Sequence, residues 1–123
     1  MNSFILEPAE DTPEINFNPE TNVFYISKRS LPENAIDYYG PVLEWIQGFL
    51  DEKPKQLTIE FKLEYFNTAS AKQLAKLLLV LEKYKESTKI LVNWFYKPED
   101  KDMLASGTRF SKLIPIDFNF IEY

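Results

Sequence analysis

Thr68 and Ser70 are the side chains of this sequence whose types and spacing most readily support chemistry. They close the run Phe61-Lys62-Leu63-Glu64-Tyr65-Phe66-Asn67-Thr68-Ala69-Ser70-Ala71-Lys72, in which an alternating strand gives way to small hydroxyl and amide residues and then to a strongly apolar helix. A hydroxyl at such a junction sits at the positive end of a helix, where the first backbone N–H groups have no intrahelical partner. Helix N-termini of this kind hold anions, so a phosphate esterified to Thr68 would meet a favourable field. The same residue types also cap helices and shape turns, and from the residues alone both readings stand. Ser70 is read as the more natural cap and Thr68 as the phosphoacceptor.

Catalytic chemistry finds little support elsewhere. The chain has no His and no Cys, which removes the commonest general base, the commonest metal ligand and every thiolate mechanism. Glu99, Asp100 and Asp102 lack calcium-loop spacing and fit better as the acidic first turn of a helix. Only three glycines are present, Gly40, Gly48 and Gly107, so no glycine-rich phosphate loop exists. The expectation is a non-enzymatic protein that needs no cofactor and no metal. A small-molecule or nucleotide-binding domain that uses the helix start at Thr68 is the rival reading.

Composition narrows the partners. The chain has 123 residues, 45% of them hydrophobic and 15% aromatic, which suits one domain with a packed core. Fourteen Lys and Arg against 19 Asp and Glu leave a net charge of −5, which argues against nucleic acid and anionic membrane as general partners. The aromatic residues Tyr65, Phe66, Trp94, Phe95 and Tyr96 therefore read as strand packing rather than as a base-stacking platform. The first residues lack a basic segment followed by an apolar stretch, and the longest apolar run, Leu77 to Leu81, is far too short for a bilayer. A cytoplasmic location without membrane insertion is expected.

The elements that must position Thr68 follow from periodicity. Ile15–Asn18 and Val23–Ser27 read as an N-terminal hairpin around the turn-rich Asn18-Pro19-Glu20-Thr21-Asn22. Ser30-Leu31-Pro32-Glu33 matches a capping box, so a helix is predicted from there to about Asp51, kinked at Pro41. Its apolar stripe is Tyr39, Leu43, Ile46 and Leu50. Leu57, Ile59, Phe61, Leu63 and Tyr65 alternate with polar residues as a strand with one buried face. Ser70 to Glu86 reads as a helix burying Leu74, Leu77, Leu78, Leu81 and Tyr84. Ile90, Val92, Trp94 and Tyr96 form a further strand. A third helix opens at Pro98-Glu99-Asp100 and ends at Gly107, or else runs on toward Leu113. Ile116, Phe118 and Phe120 close the chain as a strand. Strands alternating with helices specify an α/β fold with a mixed sheet and helices mainly on one face.

One exposed stripe remains. On a helical wheel Lys72, Lys76 and Lys83 share the outer side of the second helix with Leu79. This reads either as a solvated face or as a partner-docking face beside Tyr65, Asn67, Thr68 and Ser70, with Leu79 as apolar anchor.

The sequence resembles the SiaC-type regulatory phosphoproteins, small bacterial proteins with a fold like the STAS domain of anti-anti-sigma factors. The resemblance covers nearly the whole chain. It runs from Glu7-Pro8 and Glu10-Asp11-Thr12-Pro13 through Ser30-Leu31-Pro32-Glu33-Asn34-Ala35 to Leu63-Glu64-Tyr65-Phe66-Asn67-Thr68-Ala69-Ser70, its most specific block. It continues in Val92-Asn93-Trp94-Phe95-Tyr96, Asp102-Met103-Leu104 and the closing Phe120-Ile121-Glu122-Tyr123. The resemblance implies a single STAS-like domain that works by partner switching. A protein kinase would phosphorylate Thr68, a PPM-type phosphatase would reverse it, and the unphosphorylated form would bind and activate a diguanylate cyclase.

Overall fold

The computed structural model describes residues 1–123. Six strands and three helices follow in the order β1 (Phe4–Leu6), β2 (Glu14–Asn18), β3 (Val23–Ser30), α1 (Ala35–Asp51), β4 (Gln56–Phe66), α2 (Thr68–Lys83), β5 (Lys89–Tyr96), α3 (Lys101–Leu113) and β6 (Asp117–Glu122). The strands form one mixed sheet whose spatial order is the sequence order. β1, β2 and β3 pair antiparallel, and β3 through β6 pair parallel.

This topology puts all the helices on one side. Parallel neighbours need a crossover, crossovers are right-handed, and each one here steps the same way across the sheet. α1, α2 and α3 therefore cover the same face. Beneath them Ile15, Phe17, Phe24, Ile26, Leu57, Ile59, Phe61, Ile90, Val92 and Trp94 join Tyr39, Ile46, Leu50, Leu74, Leu77, Leu78 and Leu81 in one buried cluster. The opposite face is bare, with Tyr25, Ser27, Glu60, Lys62 and Phe95 lining a shallow hollow.

The hairpin forms as expected, with Ile15 opposite Ile26 and Phe17 opposite Phe24. Asn22 takes a positive φ of 55°, a backbone that Asn tolerates better than most residues. Phe4 of the short β1 packs on Phe17 and Trp45, an edge strand that periodicity missed because it spans only three residues.

Two local expectations need correction. Ser30 does not cap α1: it ends β3 and is fully buried, while Asn34 caps the helix by accepting from the Asp37 amide at 3.1 Å. Tyr65 is not on the buried face of β4. The pairing of β3 with β4 slips between Lys28 and Arg29, so Lys28 faces Leu63 but Arg29 faces Tyr65. The extra residue reverses the alternation. Phe66 turns inward against the Trp94 ring, and Tyr65 is left 46% exposed on the bare face with the Arg29 guanidinium over it.

Of the two ends expected for the third helix the structure has the later one: α3 runs on to Leu113 with Gly107 inside it. A Cβ there would stand 2.5 Å from the Trp94 ring. The glycine is required by close helix–sheet approach, and the ring fixes that approach by donating its Nε1–H to the Met103 carbonyl at 2.9 Å. Pro41 lies within α1, and the helix continues through it to Asp51.

Candidate functional site

β4 delivers the chain to Asn67, whose backbone (φ −85°, ψ 176°) is still extended. Its side-chain Oδ1 accepts from the Ser70 amide at 2.8 Å, so Asn67, not Ser70, caps α2. The Asn67 amide in turn donates to the Ser30 carbonyl at 3.1 Å, tying the junction back to β3. Thr68 is therefore the first helical residue and is exposed.

The two hydroxyls of the junction have opposite environments. Ser70 is fully buried, as are Ser30 and Tyr39. The Ser30 Oγ donates to the Ser70 Oγ at 2.9 Å and lies 2.6 Å from the Tyr39 hydroxyl. A serine hydroxyl carries one proton, so with that proton given to Ser70 it is Tyr39 that donates to Ser30. Burial pushes the Tyr39 hydroxyl up to about 12. This neutral chain crosses from α1 through β3 to the first turn of α2. It leaves Thr68 as the hydroxyl that faces outward.

Outside, Thr68 borders an open groove of about 500 Å³ between the starts of α1 and α2. One wall is Glu33 to Ile36, and the other is Thr68, Ala69, Lys72 and Gln73. Ile36, 66% exposed, gives the first wall an apolar edge. Lys72, Lys76, Leu79 and Lys83 continue outward from Thr68 along α2, all exposed.

The sequence-predicted residues thus divide. Thr68, Lys72, Lys76, Leu79 and Lys83 share one surface. Asn67 supports it from the cap, Ser70 is interior, and Tyr65 lies on the bare sheet face. Asp100 caps α3 by accepting from the Met103 amide at 3.0 Å. No three acidic side chains converge as a metal site would need, and no helix is long and apolar enough to cross a membrane.

Ile36 and the Ser30–Tyr39 pair are the features that sequence reasoning missed. A helical wheel places Ile36 at the rim of the α1 apolar stripe, where periodicity assigns it to the core. For Ser30 the strand pattern carried a signal, since it lies in phase with the buried Phe24 and Ile26 at even steps along β3.

Comparison with known proteins decides the lineage. The family model of SiaC family regulatory phosphoproteins matches residues 6–123. The chain belongs to the SiaC family. Its fold coincides with that of SiaC of Pseudomonas aeruginosa, with a TM-score of 0.90 over 100% of both chains at 22% identity. A second structure is that of the diguanylate cyclase SiaD in complex with its activator SiaC, also from P. aeruginosa. This SiaC family chain is similar to it with a TM-score of 0.91 at 21% identity, covering 98% of this chain and 99% of that one. An uncharacterized protein of P. aeruginosa is 26% identical over 97 residues, 78% of this chain and 77% of its own. The fold expected for a SiaC family member is therefore the one observed, a mixed six-stranded sheet with three helices on one face.

Proposed function

We propose that this SiaC family protein is a non-enzymatic partner switch controlled by phosphorylation of Thr68. A protein kinase adds the phosphate and a PPM-type phosphatase removes it. The unphosphorylated form binds and activates a diguanylate cyclase in the cytoplasm. The carrying observation is the contrast at the start of α2, where Thr68 is exposed on a groove while Ser70 is fully buried. The family description as regulatory phosphoproteins and the P. aeruginosa complex of SiaC with SiaD support the reading.

The physics separates fold from binding. Phosphorylation adds about −1.5 to −2 charges and three acceptor oxygens. At the first residue of a helix that charge meets the positive end of the dipole, so the fold tolerates it. A partner seated over Thr68 instead faces a bulky dianion that must lose water. A loss of ~3 kcal/mol in binding lowers affinity by more than a hundredfold.

The test is cyclic di-GMP formation by the cognate cyclase. Thr68→Ala should keep activation after treatment with kinase and ATP, whereas wild type should lose it. Persistent activation by fully phosphorylated wild type contradicts the proposal.

A further inference from the structure

Residues 65–81 contain no Asp or Glu, although the chain carries 19 of them. Lys72 and Lys76 lie in this span and Lys83 follows it. The single ion pair of the molecule joins Lys85 to Glu82, so none of these three exposed lysines has a carboxylate oxygen within 4.0 Å. Glu33, on the facing wall of the groove, makes no ion pair with Lys72.

The spacing is equally informative. Thr68, Lys72, Lys76, Leu79 and Lys83 follow one another at steps of four, four, three and four. At 3.6 residues per turn they fall within an arc of about 80° and extend for about 22 Å along α2. Leu74, Leu77, Leu78 and Leu81 take the opposite side and are fully buried, so the stripe points away from the sheet. Leu79 sits among the lysines, 48% exposed.

We propose that this stripe docks an acidic amphipathic helix of the partner protein, with Leu79 against an apolar side chain and Lys72, Lys76 and Lys83 facing carboxylates. The four-three-four steps are those a helix meets when another helix lies alongside it. A strand would need open backbone hydrogen bonds, which the middle of α2 does not offer. The local charge of +3 selects a carboxylate-bearing face although the protein as a whole is acidic.

The stripe also supplies a release mechanism, and here the inference rests on Thr68 as the switch. Phosphate at its head cuts the formal charge from +3 to about +1. Phosphothreonine at 68 and Lys72 stand at i and i+4, the spacing and order that favour an intrahelical pair. Lys72 is then held by the phosphate rather than by the partner.

NMR titration of the intact protein with two synthetic three-heptad helical peptides tests this. Both carry leucine at the seam; one bears glutamate and the other lysine at the flanking positions. The glutamate peptide should shift the amides of Thr68 to Lys83, and the lysine peptide should leave them unmoved. The combined Lys72→Glu, Lys76→Glu, Lys83→Glu variant should bind the glutamate peptide at least about tenfold more weakly, as should protein phosphorylated at Thr68. The corresponding Lys→Gln variant should lose a smaller factor, and added salt should weaken wild-type binding. Unmoved α2 amides, equal binding by wild type and the triple Glu variant, or equal response to both peptides overturns the proposal. Phosphate mapping reports on the switch separately. Protein that accepts phosphate at Thr68 but, in its unphosphorylated form, ignores the glutamate peptide contradicts the stripe alone. Protein that takes the peptide but accepts no phosphate contradicts the switch and keeps the stripe.

Discussion

The Ser30 Oγ donates to the Ser70 Oγ at 2.9 Å inside the core, joining the last residue of β3 to the first turn of α2. That bond decides which hydroxyl of the junction is free of the core. It consumes Ser70 in a structural role and leaves Thr68, two residues earlier, on the surface.

Ser70→Ala removes one of the two bonds of the buried Ser30 hydroxyl, leaving the Ser30–Tyr39 pair one acceptor short. The expected cost is about 1–3 kcal/mol in urea unfolding. Phosphate incorporation at Thr68 should stay at the wild-type level, since the Asn67 cap bonds the Ser70 backbone rather than its side chain. Loss of incorporation in a folded Ser70→Ala protein would place the acceptor at Ser70.

Alkaline pH probes the same network through Tyr39. Its hydroxyl titrates at an ordinary value of 10.0 when unfolded and is raised to about 12 by burial in the native state. Between those values the unfolded chain has lost the proton and the native chain retains it, so unfolding releases protons and stability falls as pH rises. The contribution is fully present below pH 10 and lost as pH climbs through about 12. Urea midpoints of wild type should fall across that window, and Tyr39→Phe should show a shallower fall.

Gly107→Ala tests the approach of α3 to the sheet. The new methyl would stand 2.5 Å from the Trp94 ring, which is itself fully buried and held by its bond to the Met103 carbonyl. Overpacking of this kind costs about 1–3 kcal/mol. An unchanged urea midpoint would show that α3 shifts freely.

The two sides of α2 should respond oppositely to substitution. Leu78→Ala opens a cavity in the core and should cost about 2–5 kcal/mol. Leu79→Asp lies on the exposed stripe and should change stability by less than about 0.5 kcal/mol. Equal losses in thermal or urea unfolding would contradict the placement of the stripe.

Most of the fold was legible because helix and strand periods were clean where packing was uniform. The Leu74–Leu81 stripe and the Ile90, Val92, Trp94 alternation reappear as core. Legibility failed where tertiary contact overrode local chemistry. Ser30 has the pattern of a capping box yet is drawn inward by Tyr39 and Ser70. Gly107 resembles a stop signal but answers to a tryptophan thirteen residues earlier in the chain. Tyr65 follows the β4 alternation until a slip against β3, invisible in β4 itself, turns it outward. At the site, the strand-to-helix junction and the exposed Thr68 were readable from local sequence. The facing wall at Ile36 was not, because only the assembled groove sets it beside Thr68.

Phosphate mapping coupled to partner affinity tests the switch most directly. The protein is incubated with its cognate kinase and ATP, the modified residue is located by peptide mass spectrometry, and affinity for the cognate cyclase is measured for both forms. Phosphate is expected on Thr68 and absent from the Thr68→Ala protein, with affinity more than a hundredfold weaker after modification, equivalent to ~3 kcal/mol. Phosphate on Ser70 alone, full incorporation by Thr68→Ala, or equal affinity of the two forms would contradict it.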